Sequence, residues 1–224
     1  MKQKKPWLVL LLMLSLISLI SACSTYETEE NRRSSLNGIE TIYINHGSTT
    51  VNLHPGETDE LQTSFVSNDN GPGVNIDTTK NQLKLSMKSD IRRLFNIGAM
   101  PTLHVYIPSG YKGKVVVDGS SGRVNVTDLE VIELDIRGKS GNVSMDLLDI
   151  KTNINVSVSS GNVNLNVRNK DTDANWLLQS NSGKRSVAFT LDHHSSTRKK
   201  TSGQTGKGSF IVDISTSSGN IRID

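Results

Sequence analysis

One short phrase recurs five times in the second half of the chain and constrains the fold more than any other feature. It is a Ser-Gly pair followed by a polar residue and then by alternating apolar and polar residues, as in "SSGRVNV", "KSGNVSM" and "SSGNVNL". The separations between successive glycines are 19, 20, 22 and 36 residues. A period of about 20 residues indicates one structural unit that is repeated along the chain. The five glycines are Gly122, Gly141, Gly161, Gly183 and Gly219.

The residues on both sides of each glycine alternate between apolar and polar with a period of two. Apolar residues stand five and seven positions before every glycine and four positions after it. Two positions after the glycine, the residue is aliphatic in four repeats and is Arg185 in the fifth. This pattern predicts two short β-strands per unit, each with one buried face, joined at a corner where glycine permits the turn.

A repeated unit of this length with two strands predicts an all-β fold. We expect a single-sheet-stack β-solenoid that is parallel β-helix-like, in which corresponding strands of successive coils lie about 4.8 Å apart. One coil gains about 6–12 kcal/mol from burying its inward aliphatic side chains, and ordering about 20 residues costs at least as much. Coils should therefore be stable only when stacked. An antiparallel β-sandwich of hairpins is the alternative, because it uses the same alternation and the same turns.

The N-terminal residues have the pattern of an export signal followed by a lipid-attachment site. Residues 1–22 combine a basic start with an apolar stretch and a small-residue processing site, which is typical of a signal peptide. The tetrapeptide that ends at Cys23, "ISAC", resembles a bacterial lipobox, which implies cleavage before Cys23 and lipid, including palmitate-type acyl chains, on that residue. Cys23 is the only cysteine, so no disulfide forms within one chain. We therefore predict an extracytoplasmic lipoprotein anchored to the bacterial cell membrane; an unmodified cysteine is the alternative.

Composition divides the rest of the chain into three parts. Residues 23–38 are polar, which predicts the lipid anchor and a flexible tether. Residues 39–113 alternate as strands do but lack the phrase, and we expect a β-rich N-terminal cap on the solenoid. Within the cap, residues 90–100 ("DIRRLFNIGAM") are predicted to form a partly buried turn. Residues 114–224 are predicted to form the solenoid repeats, with an insertion near 192–209 that lengthens the last interval.

The charge balance excludes one class of partner. The chain has 25 Lys and Arg against 22 Asp and Glu, and three of the lysines lie in the signal, so 25 − 3 = 22 cations remain. No basic excess is left for a nucleic-acid surface. The insertion is a local exception, because its four cations stand beside a single acid, Asp192. A flexible solvated insertion between coils is the simpler interpretation, and these cations are the candidates for binding an anionic cell-wall polymer. They are Arg198, Lys199, Lys200 and Lys207.

No motif predicts a catalytic residue, a metal site or a cofactor. Asp135 and Asp213 share one position of the repeat, but other residues occupy it between them, so the acids form no ladder. Asp128 and Asp146 could pair across one coil boundary, although solvated surface acids are the simpler interpretation. "GQTGKGS" (203–209) has two residues too few between its glycines for a phosphate-binding loop. An enzyme that processes cell-envelope polysaccharides on a β-helix scaffold, with acids from neighbouring coils, is kept as the alternative function.

The repeats, together with the step "VYIPSGYKGKVVV" that leads into them, resemble a family of bacterial envelope proteins with β-strand repeats. These proteins are known as putative adhesins of unknown function and include LiaG-like proteins. The resemblance implies an exported, membrane-attached β-solenoid without established catalytic residues. The predicted function is that of a lipid-anchored, non-catalytic binding module, adhesin-like or an envelope-stress accessory, with a wall polymer or envelope protein as its partner. The chain ends inside a predicted strand, "IRID", and this edge is expected to pair with a second copy or a partner strand.

Overall fold

The computed structural model describes residues 28–67, 73–87 and 100–224, and their regular secondary structure is entirely β-strand. The signal sequence, Cys23 and residues 90–99 of the predicted turn lie outside these ranges. The described residues contain no helix that is long and apolar enough to cross a membrane. The strands are β1 (Thr28–Ser35), β2 (Thr41–Gly47), β3 (Thr50–Gly56), β4 (Glu60–Ser67), β5 (Val74–Thr79), β6 (Gln82–Met87), β7 (Thr102–Pro108), β8 (Lys114–Gly119), β9 (Val124–Thr127), β10 (Glu133–Ser140), β11 (Val143–Leu147), β12 (Asn153–Ser160), β13 (Val163–Val167), β14 (Ala174–Ser182), β15 (Arg185–Val187), β16 (Asp192–Ser196), β17 (Lys200–Thr205), β18 (Phe210–Ser218) and β19 (Ile221–Ile223).

The strands form two sheets that share one hydrophobic core. The nine-stranded sheet has the order β1-β4-β7-β3-β9-β11-β13-β19-β15, and the ten-stranded sheet has the order β16-β17-β14-β18-β12-β10-β8-β2-β6-β5. Aliphatic side chains make up most of the core, and Trp176 and Phe65 are its largest fully buried side chains. The predicted β-solenoid is confirmed, and each coil contributes one strand to each of two sheets.

Each Ser-Gly phrase joins a strand of the ten-stranded sheet to a strand of the nine-stranded sheet. Neighbouring coils pair in parallel and in register with the repeat, so that Val143 lies beside both Val124 and Val163. On the other sheet, Ile136 lies between the equivalent residues of its two neighbours. The inward residues predicted from the alternation are the ones that stack. The alternative of an antiparallel sandwich is wrong, because the strands of neighbouring coils are parallel.

The glycine of the phrase is required because successive corners are in direct backbone contact. Gly141 has a φ of 118°, which residues with a side chain rarely adopt. A Cβ at this position would lie 1.9 Å from the carbonyl oxygen of Gly122. A Cβ at Gly161 would lie 1.8 Å from the carbonyl oxygen of Gly141. The corners can therefore stack at strand spacing only if the residue there lacks a side chain.

The residue after the glycine links the coils through its side chain. Asn142 Oδ1 accepts a hydrogen bond from the Asn162 N–H at 2.9 Å, and Asn162 Oδ1 accepts one from the Asn220 N–H at 2.9 Å. Asn220 Oδ1 in turn accepts a hydrogen bond from the Lys184 N–H at 2.8 Å. The ladder runs 142, 162, 220, 184, which is not the order of the chain.

The last coil of the chain lies inside the stack. Strand β18 pairs with β12 on one side and β14 on the other, and β19 pairs with β13 and β15. The prediction of an exposed C-terminal edge at "IRID" is therefore wrong, because this strand has a neighbour on each side. The coil at the end of the stack is β14–β15, which precedes the last coil in sequence.

The N-terminal part of the structure differs from the predicted tether and cap. Strand β1 pairs antiparallel with β4 over its eight residues, so residues 28–35 are not a flexible tether. The polar composition of β1 was interpreted as a tether. The strand instead covers the edge of β4 mainly with backbone hydrogen bonds, which do not require apolar side chains. Strands β2 and β3 form a coil that is parallel to β8 and β9, and β6 and β7 form the next layer outward. Much of the expected cap is therefore solenoid.

The insertion near 192–209 is an ordered antiparallel hairpin. Strand β17 pairs with β14 and with β16, and so extends the ten-stranded sheet beyond the β14–β15 coil. Trp176 Nε1–H donates a hydrogen bond to Thr205 Oγ1 at 2.9 Å, which ties the hairpin to the core. The hairpin closes one side of the end of the stack, and every residue of β16 is exposed to solvent.

Candidate binding site at the end of the stack

The four cations predicted to bind a polymer lie at the two ends of one strand. Arg198 and Lys199 lie in the turn between β16 and β17, and Lys200 is the first residue of β17. Lys207 lies beyond the other end of β17, about 20 Å away at the usual rise of a strand. The structure therefore brings three of these residues together and separates Lys207 from them.

The order of the coils adds two cations that the sequence analysis missed. Lys184 and Arg185 follow Gly183 at the corner of the β14–β15 coil, which ends the stack, and this corner lies beside the hairpin turn. The backbone contact is direct, because the Ser180 N–H donates a hydrogen bond to the Lys199 carbonyl oxygen at 3.0 Å. Both residues deviate from the repeat, since Lys184 stands where three other repeats have Asn and Arg185 stands where they have an aliphatic residue.

Arg185 holds the turn in place. Its Nη2 donates hydrogen bonds to the carbonyl oxygens of Thr197 at 2.8 Å and Arg198 at 3.0 Å. Its Nε donates to Thr201 Oγ1 at 3.1 Å, and its Nη1 donates to the Ser180 carbonyl oxygen at 3.3 Å. No coil follows to cover an aliphatic side chain here, so a guanidinium with several donors suits the position better.

The remaining cations around the turn form no ion pair within 4.0 Å among the described residues, and Asp213 is a more distant acidic neighbour of Lys200. Among the described residues, every ion pair within 4.0 Å involves a Lys or Arg side chain outside the turn. Burial raises the pKa of Asp213, and the charge of Lys200 opposes this shift. Four unpaired cations around one ordered turn produce a positive potential that attracts anions. We call them the basic turn: Lys184, Arg198, Lys199 and Lys200, all exposed.

A groove of about 380 Å³ opens next to the basic turn. It exists because the hairpin extends the ten-stranded sheet past β14 by two strands, whereas the nine-stranded sheet ends at β15. Phe189 lies in the groove and packs edge-on against Trp176, with ring centroids 5.3 Å apart. The residues that line the groove are Arg185, Val187, Phe189, Thr190, Leu191, His194, Ser196 and Thr201.

Three of the acids considered for catalysis, Asp128, Asp135 and Asp146, lie within ion-pair distance of cations. Asp128 and Asp146 do approach each other, but both contact Arg168, whose Nε lies 3.5 Å from Asp146 Oδ1. Asp135 is buried and forms an ion pair with Arg137, whose pKa is raised mainly by this hydrogen bond. Within the described residues, no group of three or more His, Cys, Asp or Glu side chains could hold a metal ion. Arg168 connects Asp128 and Asp146 across coils, and Asp135 accepts a hydrogen bond from Asn155 of the next coil at 3.3 Å, an arrangement that suits a structural role.

Comparison with known proteins places the chain in a family. Residues 112–224, just over half of the chain, match the family described as Toastrack DUF4097. The chain belongs to this Toastrack family. No curated protein matches it. The matched residues begin just before β8 and contain every Ser-Gly phrase.

A solved structure shares the fold of this Toastrack chain. A protein from Clostridium sporogenes, described as a "putative cell adhesion protein", is 17% identical with a TM-score of 0.66, and the match covers 88% of this chain and 99% of that chain. A "putative adhesin" from Bacteroides fragilis is 14% identical with a TM-score of 0.39, and the match covers 89% and 99%. The first similarity extends to the strands before residue 112, so the fold of those strands also recurs in a solved structure.

Proposed function

We propose that this Toastrack protein is a non-catalytic, adhesin-like binding module of the bacterial envelope. Lipid at Cys23 holds it to the outer face of the cell membrane, and the basic turn binds an anionic polymer of the cell wall. The observation that carries this proposal is the basic turn itself, in which four exposed cations surround one ordered turn and form no ion pair within 4.0 Å among the described residues.

The position of the basic turn suits a ligand that lies away from the membrane. The nine-stranded sheet starts at β1 and ends at β15, and its eight steps of about 4.8 Å give a length of about 38 Å. Cys23 precedes Thr28 by five residues, which span at most about 18 Å. A lipid at Cys23 therefore keeps β1 near the membrane and leaves the basic turn at the far end of the stack.

The fixed backbone conformation of the basic turn favours binding. Lys and Arg side chains on a mobile loop would lose backbone freedom when a polymer binds, and this loss would weaken the affinity. Here Arg185 and the Ser180–Lys199 hydrogen bond already fix the backbone of the turn. The description of the Clostridium sporogenes protein as a cell adhesion protein is compatible with a surface-binding role.

Co-sedimentation of the mature protein with isolated cell-wall sacculi tests the proposal. We expect binding to sacculi that carry their anionic polymers, loss of binding when the polymers are stripped, and weakening as salt is raised, because the contacts are electrostatic. Failure to bind polymer-bearing sacculi at low salt would refute the proposal.

A pair of charge-matched variants locates the site. In the test variant, the four residues of the basic turn are replaced by Gln, and we expect binding to be lost. In the control, four exposed cations elsewhere are replaced by Gln: Lys80, Lys112, Arg123 and Lys139. Both variants have the same net charge, so equal loss in both would show a general effect of charge and contradict the assignment. Lys207→Gln alone should have little effect, because Lys207 lies at the other end of β17.

A further inference from the structure

The nine-stranded sheet has an open edge at β15. Strand β15 pairs with β19 alone, through the Ile221 N–H to the Lys184 carbonyl and the Ala188 N–H to the Ile223 carbonyl, each at 2.9 Å. In a parallel ladder, alternate residues turn their backbone groups to opposite sides, so Arg185 and Val187 direct their N–H and C=O away from β19. Among the described residues, none forms a hydrogen bond with these four groups.

The other free edge at this end of the stack is protected against pairing. Strand β16 is exposed along its whole length and polar, and its register shifts between Asp192 and Ser195. His193 has a φ of 50° within this irregularity, which disrupts a regular edge. Strand β15 lacks such an irregularity, and the apolar side chains of Val187 and Phe189 line the groove beside it. The protection of β15 is limited to its length of three residues and to the charge of Arg185, which is bound by the hairpin turn, so its outward backbone groups stay free for a partner.

The groove has room for the side chains of an added strand. The hairpin extends the opposite sheet by two strands, so a strand added to β15 would lie across from β17 at about the 10 Å spacing of packed sheets. Its inward side chains would contact Val187, Phe189 and Leu191 in a groove of about 380 Å³. This volume lies within the range of ligand-binding pockets.

We propose that β15 is a docking edge for an acidic, extended polypeptide segment. The segment adds to the nine-stranded sheet as a further strand and buries alternate apolar side chains in the groove. Its acidic nature follows from charge complementarity, because the basic turn surrounds this end of the edge and Asp192 is the one acid of the hairpin. Docking goes beyond the proposed function, since polymer binding requires only the cations.

The probe is the fluorescein-labelled peptide Glu-Val-Glu-Val-Glu-Val-Glu, whose affinity for the mature protein is measured by fluorescence anisotropy. Val187→Pro removes one of the two free N–H groups of β15 and preserves the hydrogen bonds to β19, because the Val187 N–H does not take part in them. Val187→Ala is the control, because it shortens the side chain and keeps the N–H. Equal urea midpoints of the two variants show that both are folded.

We expect Val187→Pro to weaken peptide binding at least tenfold and Val187→Ala to weaken it at most threefold. Binding of Val187→Pro to sacculi should be unchanged, which separates docking from the proposed function. Replacing every Glu of the peptide by Lys should abolish binding. The proposal is overturned if the wild-type protein does not bind the acidic peptide, if Val187→Pro binds it as well, or if the Lys peptide binds equally. A dimer of the free protein that Val187→Pro dissociates would assign the edge to a second copy instead.

Discussion

Gly141→Ala should destabilise the protein far more than an ordinary surface substitution. Gly141 combines a positive φ of 118° with a corner at which a Cβ would lie 1.9 Å from the Gly122 carbonyl oxygen. Holding a residue other than glycine in such a backbone conformation costs about 1–3 kcal/mol. Displacing the neighbouring backbone to relieve the clash costs about 1–3 kcal/mol more. Together they give about 2–6 kcal/mol, a large part of the free energy of unfolding of a typical domain.

Gly138 provides a matched control in the same coil. It lies three residues earlier in β10, and a Cβ there would lie 3.4 Å from Val158 Cγ1, an ordinary contact. Gly138→Ala should therefore change stability by no more than about 1 kcal/mol. The change is stabilising if its main effect is to reduce the conformational entropy of the unfolded chain.

Urea unfolding followed by circular dichroism measures both variants. With a slope of about 1–3 kcal/mol per molar urea, Gly141→Ala should lower the midpoint by about 1 M or more. The Gly138→Ala midpoint should stay close to that of the wild-type protein. If Gly141→Ala unfolded at the wild-type midpoint, the argument that stacking requires glycine at the corner would be refuted.

Three further outcomes follow from single contacts. Asn220→Ala removes the acceptor for the Lys184 N–H and should cost about 0.5–1.5 kcal/mol in urea unfolding, whereas Asn164→Ala, equally exposed, should change stability by less than about 0.5 kcal/mol. Arg185→Ala should speed amide hydrogen exchange in β17, since the turn loses its guanidinium contacts; unchanged exchange would show that the hairpin holds its turn without them. Burial is the main cause that lowers the pKa of His46 in the folded protein. As pH falls below about 6.5, the histidine of the unfolded state takes up a proton before that of the folded state does, so the free energy of unfolding decreases in that range. His46→Gln should lose less stability between pH 7 and pH 5, and an identical loss in both proteins would exclude His46 as a source.

The strands of the repeats could be predicted because their inward and outward residues depend only on a period of two. That alternation is the same whichever coil lies next to it, so it does not predict the order in which the coils stack. The order was nevertheless marked in the sequence. Lys184 and Arg185 break the repeat at the coil that ends the stack, where no further coil needs an Asn acceptor or an aliphatic surface.

The N-terminal coil and β1 escaped the sequence analysis for different reasons. In the coil of β2 and β3, the apolar Val51 and Leu53 follow Gly47 by four and six residues instead of two and four, so it does not match the phrase. Strand β1 has no apolar face because it lies at the edge of a sheet, and its polar composition was mistaken for a tether. Three of the four predicted cations were grouped correctly because they are consecutive, whereas Lys184 joins them only through the fold.

The position of the last coil inside the stack is the central claim, because it places the basic turn and the open edge of β15 at the end. Disulfide formation between engineered cysteine pairs at exposed positions tests it, in a Cys23→Ser background that leaves no other thiol. Adjacent strands bring Cα atoms to about 4.8 Å, which a disulfide can bridge, whereas strands two steps apart are beyond its reach. We predict that cysteines at Asn164 and Arg222, and at Arg222 and Ser186, form disulfides, and that cysteines at Asn164 and Ser186 do not. A disulfide between positions 164 and 186 would show that the coils stack in chain order and would contradict the account.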